Sequence, residues 1–289
     1  MVQRRDMQAL VPAAVFAALM LAPLEARASG AGEDGNCRIK VSWAEDLTVT
    51  ALLLAEYGLL YGFQDGIVGT RCGWCRGPDA LDRGVRSGLL APDTGAASLA
   101  SSLVLGGIGL LALVSEIVVV KRGGESWTVF FQDLTLMVEA LVYTGLVTQV
   151  FKMGLRRPRP AMHYEQDEEK REGHGSEELM GFFSGHASFA SSLVASTATL
   201  MFLRNRRIAP WIAGAGAALA LAVGLLRISA DKHYLSDVLA GLIAGTAAGA
   251  AVPLLHSLPC GKKRKGTGGS ACSLAITPGP GIVSIAGRF

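Results

Sequence analysis

Five long apolar runs dominate the chain after residue 96: Ala97 to Val120, Trp127 to Phe151, Phe182 to Leu203, Ala209 to Leu226 and Leu235 to Leu255. A bilayer-spanning helix needs about 20 such residues, whereas barrel strands would be shorter and would alternate in polarity. The runs therefore predict an all-α fold, a membrane-embedded helical bundle with five or six spanning helices. Upstream, Ala44 to Phe63 mixes apolar and acidic positions and predicts an amphipathic helix. A turn-rich stretch with Cys72, Cys75, Gly77 and Pro78 follows it.

The sixth span depends on the N-terminus. Arg4 and Arg5 precede an apolar stretch from Ala9 to Leu24, and Ala26-Arg27-Ala28 is a small-x-small cleavage site. This reads as an export signal cut after Ala28, or as an uncleaved anchor. The loops carry a second message. Lys121 and Arg122, then Arg204, Arg206 and Arg207, then Lys262 to Lys265 fall at alternate run ends, so all can share one face. The positive-inside rule makes that face cytoplasmic. The expected divisions are a signal or anchor over 1–28, an extracytoplasmic segment over 29–96, a helical domain over 97–256 and a flexible tail over 257–289. The expected location is a bacterial-type inner membrane, with a soluble periplasmic protein as the alternative.

Composition supports the membrane reading. Half of the residues are hydrophobic and only 18% are charged, against about 25% charged in a typical soluble domain. The net charge of +3 comes without a basic stripe interleaved with aromatics, which argues against nucleic acid as a partner. Of the five cysteines, Cys37, Cys72 and Cys75 cluster upstream. No fourth zinc ligand stands near them, and an exported chain can form disulfides, so a disulfide among these three is expected.

Polar residues inside the runs come next. Asp133 and Glu139 lie within the second run, where a carboxylate is costly. Glu139 precedes Lys152 by 13 residues, about 20 Å along a helix, so it is expected to be a buried structural partner. Gly241, Gly245 and Gly249, spaced by four, predict close helix packing. The loop Met162 to Met180 is strongly acidic and is expected to be a solvated linker, or alternatively a lid using His163 or His174.

Three motifs carry the chemistry: Lys152-(x6)-Arg159-Pro160, Ser184-Gly185-His186 and Arg227-(x5)-His233-(x3)-Asp237. All fall at the run ends opposite the basic loops. Lys152, Arg159 and Arg227 offer charge for an oxyanion. Ser184 and Gly185 open a helix whose free N–H groups favour an anion. His233 and Asp237, four apart on a helix, share a face, so Asp237 can fix the His233 tautomer and free the other nitrogen to attack. His186 is then available as general acid. The set calls for no metal and no cofactor.

These motifs resemble the type 2 phosphatidic acid phosphatase and vanadium haloperoxidase superfamily, with its pattern K-x6-RP, PSGH and SR-x5-H-x3-D. Two positions depart from that pattern: Phe183 replaces the proline and Leu226 the serine. The resemblance implies a phosphoric ester hydrolase working through a phosphohistidine. His233 would be the nucleophile, Asp237 its orienter and His186 the acid, with Lys152, Arg159, Ser184, Gly185 and Arg227 on the phosphate. It also implies a lipid phosphate, such as phosphatidate or a polyprenyl diphosphate, as substrate at the extracytoplasmic face. The competing readings are a soluble periplasmic acid phosphatase, a haloperoxidase and a non-catalytic phosphate-binding membrane protein.

Overall fold

The structure, a computed structural model, describes residues 39–69, 72–164, 176–257, 273–279 and 282–288. The signal region, Cys37, Cys260, Cys272, His174 and the basic cluster 262–265 lie outside the described residues. Among the described residues, ten helical elements precede a short hairpin. They are α1 (Trp43–Gly62), α2 (Gln64–Val68), α3 (Ala80–Leu89), α4 (Thr94–Gly123), α5 (Trp127–Leu155), α6 (Pro160–Tyr164), a 3-10 turn (Ser176–Leu179), α7 (Gly185–Leu203), α8 (Ala209–Ser229) and α9 (Leu235–Leu255). The fold is all-α apart from β1 (Ser273–Gly279) and β2 (Ile282–Arg288), which pair antiparallel in the tail. Five helices, α4, α5, α7, α8 and α9, are long and apolar enough to cross a membrane. The protein is a membrane protein, and leucines such as Leu99, Leu103 and Leu110 on α4 stand more than 60% exposed, as a lipid-facing surface requires.

Helix α7 is the axis of the bundle, and small residues let its neighbours approach. A Cβ on Gly241 would lie 2.6 Å from the Ser184 carbonyl, and one on Gly245 or Gly249 would press closer still on the carbonyls of Ser188 and Ser192. The glycine stripe therefore seats α9 in a groove of α7 backbone, as the spacing predicts. On its other side α7 meets α5 through hydroxyls: Thr144 donates to Ser192 at 2.9 Å, and Thr148 pairs with Ser188 at 3.1 Å.

Asp133 and Glu139, the carboxylates of the second run, are paired away from the motifs. Arg204 grips Asp133 through two bonds of 2.5 and 2.6 Å, and Arg206 binds Glu125. The loop after α4 and the loop after α7 thus meet at one end, as the charge pattern implies. Glu139 lies 3.8 Å from His256 Nε2, with Asp46 3.5 Å from the same nitrogen, which gives Glu139 the buried partner expected of it.

The segment before α4 departs from a simple extracytoplasmic appendage. α1 lies along α5, from the Asp46–His256 contact at one end to the Gln149–Gln64 hydrogen bond, 2.9 Å, just beyond its other end. α3 docks on the opposite end of the bundle from His256. Asp79 caps it at 2.8 Å, and its Arg86 holds Asp231 through bonds of 2.6 and 2.8 Å. Between α2 and α3, Cys72 and Cys75 form a disulfide with Cα atoms 5.4 Å apart.

The glycine seam gives a direct test. Gly245→Ala should destabilise the bundle by about 1–3 kcal/mol, the scale of an overpacked core. Gly58→Ala, at an open position on α1, should be neutral or gain about 0.5 kcal/mol from helix propensity. Thermal unfolding in detergent distinguishes the two, and equal melting temperatures would contradict the packing described.

Candidate active site

The first turn of α7 is where the three motifs meet. Ser184 caps the helix, its Oγ 3.5 Å from the Ala187 N–H, and its own N–H donates to the Asp237 carbonyl at 3.0 Å. That bond ties the second motif to the third. Lys152, near the end of α5, reaches over the same turn: a methyl on Gly185 would meet Lys152 Nζ at 3.6 Å. The free N–H groups of this turn and the Lys152 ammonium make an anion-favouring floor.

His233, in the loop between α8 and α9, is 2% exposed. Its Nδ1 lies 2.8 Å from the Gly181 carbonyl. A carbonyl only accepts, so Nδ1 carries the proton and the Nε2 lone pair is free. Burial holds this imidazole well below the usual histidine range. Arg227, Arg159 and Lys152 push it the same way, while the Gly181 carbonyl opposes them. All three cations therefore act electrostatically on one ring, which links the first and third motifs.

Here the structure corrects one expectation. Asp237 does not accept the His233 N–H; its Oδ2 stands 3.8 Å from Nδ1. The reason is competition, since both carboxylate oxygens are already engaged. Oδ1 accepts from Arg157 Nη1 at 2.5 Å, and Oδ2 accepts from the Tyr234 N–H at 2.9 Å. Spacing of i, i+4 brings the two residues together but leaves the tautomer to Gly181.

The two outer cations are held differently. Arg227, 6% exposed, donates from Nη1 to Ser98 and Ser101 of α4 at 3.1 and 3.3 Å. Arg159, 5% exposed, binds Glu177 at 2.8 Å and Glu178 at 3.3 Å. The Nε–H groups of both arginines are buried with no hydrogen-bond partner among the described residues. His186, one residue past Gly185, is half-buried, with Nε2 3.2 Å from Ser102 Oγ. Phe183, at the position of the motif's proline, is buried against Phe151 with ring centroids 5.5 Å apart.

Several participants escape motif reading. The acidic loop is not a plain linker at its described end: Glu177 and Glu178 are ion-paired with Arg159, and Lys232 lies 3.8 Å from Glu178. The Arg159 hydrogen bond holds the Glu177 carboxyl below the usual carboxylate range. Arg157 and Asp82 carry no motif, although the repeated Arg157-Pro158-Arg159-Pro160 marks the stretch. Ser98, Ser101 and Ser102 are a hydroxyl cluster at the start of an otherwise apolar run.

Compared with known families, residues 133–258 match the model of the PAP2 superfamily. The bundle contains a PAP2-superfamily domain. No curated protein matches the chain. Among solved structures, a transmembrane PAP2-type phosphatidylglycerolphosphate phosphatase from Bacillus subtilis is similar at 17% identity. That match covers 69% of this chain and 93% of that one, with a TM-score of 0.43. Over residues 133–258 the chain matches a PAP2-type phosphoric ester hydrolase. The PAP2 match begins at Asp133, so Ser98, Ser101 and Ser102, which touch Arg227 and His186, and Asp82, which touches Arg157, all lie ahead of it.

The electrostatics predict a neutral His233 at pH 6.5, protonating only as the pH falls well below that value. Imidazole nitrogen shifts of isotope-labelled protein in detergent, followed from pH 8 to pH 5, check this. A His233 ring already protonated at pH 6.5 would contradict it.

Proposed function

We propose that this chain hydrolyses the phosphate ester of a lipid at the extracytoplasmic membrane face, through a phosphohistidine on His233. The observation that carries this reading is the neutral, Nδ1-protonated His233 ring surrounded by Lys152, Arg159 and Arg227. A free Nε2 beside converging cations suits attack on a phosphoryl group, whose charge spreads over its oxygens in the transition state.

Lys152, Arg159 and Arg227, with the Ser184 hydroxyl and the Gly185 N–H, hold the phosphate. His233 Nε2 forms a bond to phosphorus as the bond to the ester oxygen breaks, and His186 gives its proton to that oxygen. His186, now neutral, takes a proton from water. The resulting hydroxide attacks phosphorus, the P–N bond breaks, and inorganic phosphate leaves with His233 restored. Before phosphate enters, Glu177 occupies Arg159, so substrate binding displaces a carboxylate. A lipid substrate is supported by Ser102, beside His186, lying between the exposed Leu99 and Leu103 on a helix of membrane-spanning length. The extracytoplasmic placement rests on the basic loops at the other end of the bundle.

Phosphate release from phosphatidate, phosphatidylglycerophosphate and polyprenyl diphosphate by purified protein is the test. His233→Ala should lose essentially all turnover while keeping its melting temperature. Arg227→Ala should fall by about 100-fold or more, the scale of removing a transition-state donor. Equal activity of His233→Ala and the unmodified protein would refute the nucleophile. Glu177→Gln should lower KM several-fold by releasing Arg159; an unchanged or raised KM would exclude the competition.

A further inference from the structure

Arg157, in the loop between α5 and α6, is 5% exposed and has no place in the three motifs. Its Nη1 donates to Asp237 Oδ1 at 2.5 Å and to Ser236 Oγ at 2.8 Å. Its Nη2 donates to Asp82 Oδ2 at 2.9 Å. Asp82 closes the loop by accepting from the Ser236 N–H at 2.9 Å and the Ser236 hydroxyl at 2.6 Å. The guanidinium is flanked by the rings of Trp74 and Tyr234, at 4.9 and 4.7 Å from their centroids.

We propose that Arg157 and Asp82 form a positioning unit for the reaction, holding the Asp237 carboxylate at a set distance from the nucleophile His233. The inference rests on the reading of His233 given above. A cation with such partners is committed to the protein interior, unlike Arg159 two residues later, whose partners are the carboxylates of the acidic loop. Arg157 therefore acts through Asp237 and does not bind phosphate. When Nε2 bonds to phosphorus the ring gains positive charge, and a carboxylate 3.8 Å from Nδ1 stabilises it without removing the proton that Gly181 fixes. Asp237 is free to swing or to pair fully with the ring unless both oxygens are held, and Arg157 with the Tyr234 N–H holds both. Asp82 and Trp74 come from α3 and the loop before it, so a segment ahead of the PAP2 match belongs to the reacting centre.

The test uses the full chain in detergent with short-chain phosphatidate as probe, and reads kcat, KM and melting temperature for folded protein. Arg157→Gln should lower kcat about 100-fold, the scale of an ångström of misplacement, with KM almost unchanged. Arg159→Gln should instead raise KM. Arg157→Lys should recover part of the loss, and Asp82→Asn should cost about tenfold in kcat, as supporting partners do. If Arg157→Gln does not fold, Asp82→Asn and Arg157→Lys carry the same comparison. An unchanged kcat in folded variants, a loss confined to KM, or lysine no better than glutamine would overturn the proposal. The imidazole shift of His233 gives a readout independent of turnover: it should move in Asp82→Asn and Arg157→Lys, and a shift unmoved in both overturns the unit. Failure of the underlying reading is distinguished by the unmodified protein releasing no phosphate, or by His233→Ala releasing as much.

Discussion

Four cationic side chains, Lys152, Arg157, Arg159 and Arg227, are gathered at one end of an apolar helix bundle, and burying them together is the constraint on which the site depends. Isolated buried charge is costly, so each cation needs a partner or an incoming anion. The arginines are provided for in different ways. Arg157 lies between the carboxylates of Asp82 and Asp237 and is committed to them. Arg159 has Glu177 and Glu178, from the 3-10 turn Ser176–Leu179. Among the described residues, Arg227 has only the neutral hydroxyls of Ser98 and Ser101 as hydrogen-bond partners. A graded set of this kind leaves part of the positive field uncompensated beside His233, where a phosphate would complete it.

The bundle exists to hold that end in register. The glycine stripe of α9 pressed on α7 fixes His233 and Asp237 beside Ser184, and the Ser184–Asp237 backbone bond closes the junction. The hydroxyl seam between α5 and α7 does the same for Lys152. Helix α4 does more than span: its first turns supply the hydroxyls that meet Arg227 and His186. Arg86, through its paired bonds to Asp231, clamps α3 onto the loop that carries His233.

Most of this was legible in the chain because the relevant signals are local. Continuous apolar runs gave the five long helices, and four-residue spacing gave the packing of Gly241, Gly245 and Gly249. Motif order brought the eight candidate residues to one end. What escaped depends on contacts across long stretches of sequence. Asp82 meets Ser236 across 154 residues and Arg157 across 75, and no spacing rule encodes such a pairing. The His233–Asp237 relation shows the limit of a local rule. The short separation keeps the two side chains near each other although His233 lies before the helix, but Arg157 and Gly181, neither predictable from that spacing, decide which hydrogen bonds form. The acidic loop misled for the same reason, because a run of carboxylates reads as solvated until its arginine partner is known.

On the proposed mechanism, His233 Nε2 becomes covalently bound to phosphorus. Rapid quenching of turnover with a substrate labelled in its phosphate, followed by denaturing separation of the protein, tests it most directly. Label is expected on the protein, lost in acid and retained in base, as a phosphohistidine requires, and absent from His233→Ala. Label of equal amount on His233→Ala, or turnover at full rate with no labelled protein at any quench time, would contradict it.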